Sequence, residues 1–365
     1  MIAPLPVSSS TTRWCSTVSE PVFRVQGLKK YYNQSEGVLD AVLNRLGSAG
    51  DQSVKAVDGV SFEVQSGETF GLVGESGCGK STVAEAVTHL LPPTDGTVEF
   101  RSANRWVDLT DNRTDMKNVR REVQIVFQNP KNSFNPRRTI GEAVRRPLQV
   151  HNIGTDDEQR ERVRSLLDKV GLGSDYYHRY PHELSGGQLQ RVAIAKALSL
   201  DPTFVVLDEP VSALDVSVKA QILNLLEDLQ SEFEVTYFII SHDLSVIEYL
   251  ADRIAVMYLG KIAEIGPNEE VFGDPSHPYT RALLSTVPKP NPRPEVTKIN
   301  LAGEVPSPSN PPSGCRFHTR CPVAIEEECR TEEPVLRSSP NTETEEHRAA
   351  CHLMERDLEF DTYTL

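Results

Sequence analysis

Nowhere in the 365 residues does an apolar run approach the roughly 18 residues a membrane span needs, so any membrane role is that of a peripheral subunit. Residues 1–20 lack a basic start followed by an apolar core. They are rich in Ser, Thr and Pro and read as a disordered tail rather than a signal peptide, which makes the cytoplasm the expected compartment. Positive charge is in short supply: 38 Lys and Arg stand against 52 Asp and Glu, a formal net charge of -14. That balance argues against binding nucleic acid through a broad basic face; an acidic surface aids solubility or, alternatively, adapts a protein to high salt. Cysteine is scarce as well, and six in a cytoplasmic chain do not suggest disulfides. No internal repeat is visible. What remains, 38% hydrophobic and 25% charged, is a soluble globular composition with room for about two or three domains.

In chain order, Val22-Phe23-Arg24-Val25 alternates and reads as a first strand, and the polar residues 33–53 suit a surface insertion. Val60-Ser61-Phe62-Glu63-Val64 alternates strictly, as a half-buried strand does, and Glu68 to Val73 reads as a buried one. Ser81 to Leu91 has no Gly or Pro and stops at Pro92-Pro93, which predicts a helix. Thr97 to Phe100 and Trp106 to Leu109 read as an antiparallel pair, and Gln124 to Gln128 as another buried strand. Between about 129 and 190 the character is helical, with Val163, Leu166, Leu167 and Val170 at helical spacing among charges. Thr203 to Leu207 and Tyr237 to Ile240 are further core strands, separated by the apolar stripe Ile222, Leu225, Leu226 and Leu229. Strands alternating with helices predict a mainly parallel sheet covered on both faces. Prolines 288, 290, 292 and 294 open a stiff linker that prolines 306, 308, 311 and 312 continue, so the compact domain is expected to end before it.

Gly74-Glu75-Ser76-Gly77-Cys78-Gly79-Lys80-Ser81 fills the pattern G-x-x-x-x-G-K-[ST] between a predicted strand and a predicted helix. There the glycines let backbone N–H groups turn inward on an anion, and the helix dipole adds positive potential. Lys80 would reach the β- and γ-phosphates of a nucleotide, and the Ser81 hydroxyl would ligate Mg²⁺. An ordinary glycine turn is the competing reading, and the other strand ends decide against it. Asp208 closes one strand and is placed to hold the Mg²⁺ water shell; Glu209, next along, would serve as general base for the attacking water.

Leu184-Ser185-Gly186-Gly187-Gln188, lying between Gln128 and Asp208, resembles the signature of ATP-binding cassette (ABC) ATPases, and the resemblance runs over residues 22–355. It implies an α/β P-loop NTPase of ABC type, with an antiparallel β subdomain and an inserted helical subdomain. The expected division is a tail over 1–20, a cassette over 21–287 and a linker with a small cysteine-containing extension over 288–365. By that resemblance Gly74 to Thr82 bind the nucleotide's phosphates, while Ser185, Gly186, Gly187 and Gln188 meet the γ-phosphate held by a partner subunit. Gln128 is implied as a ligand of Mg²⁺ or water that couples to membrane subunits, Asp215 as part of a loop communicating across the dimer, and His242 as a contact of the γ-phosphate. Tyr32 is the expected aromatic on adenine, with Tyr31 the alternative.

Lys55 to Val60, Pro210 to Ser217, Met257 to Ile262 and His277 to Leu284 are similar to a narrower branch, the oligopeptide/dipeptide importer ATPases. Cys78 and the Val211-Ser212 pair look more like the second of the two ATPases such systems carry. The resemblance therefore implies an ATP-hydrolysing subunit in a heterodimer, two membrane permeases and an external binding protein, with no nucleic acid. Lys196 departs from the branch's usual Arg and is expected on an exposed helix face. A soluble, non-transport ABC ATPase is the alternative, but one cassette, a short helical insertion and acidic balance count against it. Cys315, Cys321, Cys329 and Cys351 match the branch's C-terminal extension, where four thiolates can hold a [4Fe–4S] cluster; zinc and metal-free thiols are the competing readings.

Overall fold

A computed structural model of the chain describes residues 20–33, 53–111, 113–286, 299–340 and 344–355. The expected N-terminal tail over 1–20, all but Glu20, most of the expected insertion over 33–53, and the first half of the proline-rich linker lie outside these residues.

Two sheets carry the architecture. The smaller is antiparallel throughout, in the order β2-β1-β4-β5, from β1 (Pro21–Asn33), β2 (Ser53–Gln65), β4 (Asp95–Ser102) and β5 (Arg105–Asp108). Strands β1 and β2 run well beyond the short alternating stretches that announce them. The larger sheet has a parallel centre: β6 (Val123–Val126), β7 (Phe204–Asp208), β8 (Thr236–Ser241), β3 (Thr69–Val73) and β9 (Arg253–Tyr258), paired in that order. β3, β7 and β8 are buried along their whole length, which is why they read as unbroken apolar runs. The two sheets meet through rings: Phe23 stacks on Phe204 at 4.6 Å and Phe62 on Phe70 at 5.1 Å between centroids. Each such ring withdraws enough apolar surface to contribute about 2–3 kcal/mol.

The helix after β3, α1 (Lys80–Val87), is shorter than the expected Ser81–Leu91. Thr88 Oγ1 donates to the Ala84 carbonyl at 2.8 Å, and His89 takes a left-handed φ of 51°, so the chain leaves the helical path before the prolines. Between β6 and β7 lies the helical insertion: α3 (Ile140–His151), α4 (Asp156–Lys169) and α5 (Gly186–Leu198). Its helices begin at reciprocal capping boxes, Thr139 with Glu142, Thr155 with Glu158 and Ser185 with Gln188. The stripe Val163, Leu166, Leu167 and Val170 is buried against Ile140, Val144 and Leu148. Lys196, expected on an exposed face, is instead half-buried with its ammonium 5.5 Å from the Phe134 ring centroid, and burial lowers its pKa.

The largest departure from the sequence reading is the C-terminal extension. It continues the central sheet, because β12 (Arg348–Ala349) pairs antiparallel with β10 (Lys261–Pro267), and β11 (Arg337–Ser338) pairs with β12. The Pro308 carbonyl accepts the Lys55 N–H at 3.1 Å, so the second half of the proline-rich stretch also lies on the cassette. Arg316 donates to Asp58 and to the Leu259 carbonyl. Under β12, Glu264 and His347 are both fully buried; the His347 Nε2 lies 2.6 Å from the carboxylate, which also accepts the N–H groups of Ser276 (2.6 Å) and His277 (2.9 Å). His277 caps α9 (Pro278–Leu284) by accepting the Tyr279 N–H at Nδ1, while its ring also bonds the Ala350 carbonyl. Burial pushes that imidazole down to about 4, so it is neutral at pH 7 and free to accept.

Candidate active site

Register decides where the functional groups emerge. Val73 lies opposite Ser241, Asp208 opposite Ile240, and Val126 opposite Leu207. Four parallel strands therefore end nearly level, and the residues that follow them rise together at the carboxyl edge of the sheet: Gly74, His242, Glu209 and Gln128. In open α/β sheets ligands bind at such an edge.

The loop after β3 is shaped by two glycines. Gly74 (φ 154°) and Gly79 (φ 108°) press on backbone: an added Cβ would stand 2.2 Å from the Met257 carbonyl oxygen at the first and 2.1 Å from that of Ala56 at the second. Ser76 and Gly77 are exposed at the tip, and Thr82 is half-buried in α1. Lys80, only 6% exposed, reaches back over the loop, and its ammonium donates to the carbonyls of Gly74 (2.8 Å) and Glu75 (2.9 Å). Cys78 is buried beneath the loop, 3.8 Å from that ammonium, and burial raises its pKa. Its sulfur would lie 2.8 Å from a Cβ at Gly74, so the thiol faces inward.

Ser81 Oγ lies 3.4 Å from Asp208 Oδ1, which brings the two expected Mg²⁺ partners together. Burial, helped by the charge of Glu209, pushes the Asp208 carboxyl up to about 6; a cation beside it would reverse that preference. Glu209 itself takes a left-handed φ of 47°, which costs a non-glycine residue about 1–3 kcal/mol. It is held there by its N–H donating to the Ile240 carbonyl at 2.8 Å. That backbone turn aims the carboxylate between two expected partners, with Gln128 Nε2 at 2.5 Å and His242 Nδ1 at 2.9 Å. A cleft beside them is lined by Gln128, Gly186, Glu209, Ser212, Leu214 and His242, so the start of the signature helix faces the same space.

Ser185 is exposed and its hydroxyl accepts the Gln188 N–H at 3.3 Å, while the Gln188 side chain accepts the Ser185 N–H at 2.9 Å. An exposed helix N-terminus with small residues is thus presented outward. Gly187 is required by packing, because a Cβ there would meet Val218 Cγ1 at 2.5 Å. Asp215 is exposed at the N-terminus of α6 (Val216–Phe233), and its carbonyl accepts the Lys219 N–H.

Of the two tyrosines weighed for adenine, Tyr31 is committed elsewhere. Its hydroxyl donates to Asp58, the carboxylate that also receives Arg316, and burial with that bond raises the phenol to about 12. Tyr32 is 39% exposed, with the Lys30 ammonium 5.4 Å from its ring centroid. Sequence reasoning missed the groups that brace the loop from behind: Tyr279, whose hydroxyl accepts the Glu75 N–H at 3.0 Å, and Arg320, whose guanidinium grips the Glu75 carboxylate. Nothing in their spacing announces either.

Cys315, Cys321 and Cys351 carry pKa values raised to about 11, 12 and 12, first by burial and then by one another's charge and that of Cys329. The four thiols thus share one neighbourhood. Among the described residues, no group of three or more His, Cys, Asp or Glu side chains is gathered as a metal site. No helix of the described residues is long and apolar enough to cross a membrane.

Two family profiles match the chain: that of the ABC transporter over residues 57–212, and that of the oligopeptide/dipeptide transporter C-terminal region over 263–329. The second takes in Cys315, Cys321 and Cys329. The chain is 46% identical to the oligopeptide transport ATP-binding protein AppF of Bacillus subtilis, over 92% of this chain and 98% of that protein. It is 49% identical to the dipeptide transport ATP-binding protein DppF of Haemophilus influenzae, over 87% and 93% respectively. Among solved structures, a dimeric ATP-binding cassette in a post-hydrolysis state with ADP and phosphate aligns at a TM-score of 0.57 and 28% identity, covering 67% of this chain and 98% of that one.

Proposed function

Because the chain belongs to the family of ATP-binding subunits of oligopeptide and dipeptide ABC transporters, we propose that it powers the import of peptides from the cytoplasmic face of the membrane. It is an ATPase whose cassettes dimerise and work with membrane permeases. The narrower assembly is a heterodimer with a related ATPase, two permeases and an external binding protein. The domain division we propose is a cassette over 21–287 with a helical subdomain near 129–190, then the extension, whose two short strands are added to the cassette's large sheet.

The observation that carries this reading is the level ending of the parallel strands, which gathers Lys80, Ser81, Asp208, Glu209, Gln128 and His242 at one edge. In the proposed mechanism the N–H groups of residues 76–82 and the Lys80 ammonium take up the phosphates, Gly74 and Glu75 shape the start of the loop, and Tyr32 stacks on the base. Mg²⁺, which neutralises phosphate charge when bound, would be held by Ser81, Asp208 and Gln128. Glu209 accepts the proton of the attacking water, and His242, bonded to that carboxylate, senses the γ-phosphate. Ser185, Gly186, Gly187 and Gln188 complete the site of the facing subunit, and Asp215 lies on the path between the two sites. Closure is then a population shift driven by the higher affinity of ATP for the closed pair.

The reading is tested by ATPase assays on the isolated chain and on the chain assembled with its ATPase partner and permeases. The chain alone is expected to bind ATP yet turn it over roughly a hundredfold more slowly than the assembly, since half of each site's electrostatic stabilisation is missing. Turnover unchanged by partners would overturn the composite site.

For the extension we propose that Cys315, Cys321, Cys329 and Cys351 ligate a [4Fe–4S] cluster; the match of residues 263–329, which include three of these cysteines, to the oligopeptide/dipeptide transporter C-terminal region supports it. Zinc is the competing ligand. Anaerobically purified chain is expected to carry iron and a broad visible absorption band. Colourless protein with stoichiometric zinc, or with neither metal, would reject the cluster.

A further inference from the structure

Glu75 is an awkward residue for a phosphate loop, because a carboxylate beside bound triphosphate repels it. The structure shows how this one is handled. Arg320, from the C-terminal extension, grips it through two parallel bonds, Nη1 to Oε2 at 2.9 Å and Nη2 to Oε1 at 3.3 Å. The guanidinium side chain is 9% exposed and the carboxylate 25%, so solvent screens the pair only in part. The same Nη1 lies 3.4 Å from the Tyr258 hydroxyl, which fixes the fork's orientation.

A second contact comes from the same direction. The Glu75 N–H donates to Tyr279 Oη at 3.0 Å, so this amide points away from the cradle into the body of the protein. Tyr279 is fully buried between Tyr258, 4.6 Å away by centroid, and Phe317, 5.4 Å away. Phe317 is 2% exposed and, like Arg320, belongs to the extension. The extension therefore touches the start of the phosphate loop twice: by charge at the Glu75 side chain, and through packed rings at its backbone.

We infer that Arg320 is a positioning residue of the nucleotide site, drawing the Glu75 carboxylate out of the phosphate cradle and cancelling its charge, so that the C-terminal extension is a working part of that site. Arg320 touches neither phosphate nor the reacting water; it acts through Glu75. Its effect falls equally on bound ATP and on the transition state, since the loop holds the same phosphates in both. The signature is therefore a change in KM without a change in kcat. The inference rests on reading residues 74–81 as the ATP site.

The test uses the full chain, with a fluorescent ATP analogue for affinity and the assembled transporter for turnover. Arg320→Gln is expected to raise the dissociation constant and the KM about tenfold, with kcat within about twofold of the parent. Arg320→Met keeps the aliphatic packing on Tyr258 and should lose as much, whereas Arg320→Lys, which keeps the charge, should recover most of the affinity. The decisive comparison is in the Glu75→Gln background, where removing Arg320 should cost less than about twofold because no charge is left to cancel. An unmoved KM in Arg320→Gln, or the same loss with Glu75→Gln as without it, would overturn the assignment. A parent chain that binds no ATP analogue would instead retire the reading of the loop itself.

Discussion

Glu209→Gln is expected to lower ATP turnover about a thousandfold while leaving ATP binding intact, within the range that removal of a general base produces. Glutamine keeps the shape and the left-handed turn but cannot take the proton of water. Gln128 at 2.5 Å and His242 at 2.9 Å still find a polar partner at the same place, so the arrangement around the side chain survives. With hydrolysis removed, the equilibrium stays on the side that ATP favours, and the variant should accumulate as a closed, ATP-loaded pair of cassettes. Single-turnover assays give the rate, and size-exclusion chromatography with MgATP gives the dimer. Near-normal turnover would remove Glu209 from the role of base.

His347→Ala is expected to cost about 3 kcal/mol or more, the usual consequence of stripping one partner from a buried pair. Glu264 has no exposure to water, and losing the imidazole leaves its carboxylate with only the Ser276 and His277 N–H groups. Because the contact fastens β12 to β10, the loss should appear first as release of the extension. Limited proteolysis should cut after about residue 299 well before the cassette is attacked, and the melting temperature should fall by at least about 5 °C. Adding Glu264→Gln removes the stranded charge and should recover part of the loss. Unchanged melting and unchanged cleavage in His347→Ala would show that the pair does not hold the extension.

Much of the fold and the expected site could be read in the residues because the informative patterns are local. The unbroken apolar runs of β3, β7 and β8 follow from burial on both faces, and the capping boxes at Thr139, Thr155 and Ser185 mark helix starts within four residues. The order of Gln128, Ser185, Asp208, Glu209 and His242 along the chain is what proposes them as one site; the structure brings Gln128 and His242 onto Glu209 and sets Ser185 at an exposed helix N-terminus. The braces of the site were not legible. Arg320 and Glu75 are separated by 245 positions, Arg316 and Asp58 by 258, and His347 and Glu264 by 83, and no periodicity encodes such pairs. Two-residue strands such as Arg348–Ala349 carry no alternation to detect, so the joining of the extension to the sheet was invisible until the register was known. Cys78 shows the limit from the other side. It stands inside the loop motif, yet its thiol is buried beneath the loop and points away from the tip, a placement the motif does not encode.

The two short strands of the extension also close one margin of the large sheet. Without β12, strand β10 would be the free margin of the large sheet, offering Glu264 and Ile265 as unpaired backbone to any other extended chain. β12 occupies those positions, and β11 follows it as an outer strand only two residues long, with Arg337 and Ser338 both exposed. A strand that short and polar is a poor template for further growth. The extension is thus a selvage, finishing the fabric of the sheet so that it does not knit to its neighbours. An expression boundary chosen where simpler cassettes end would cut that border away.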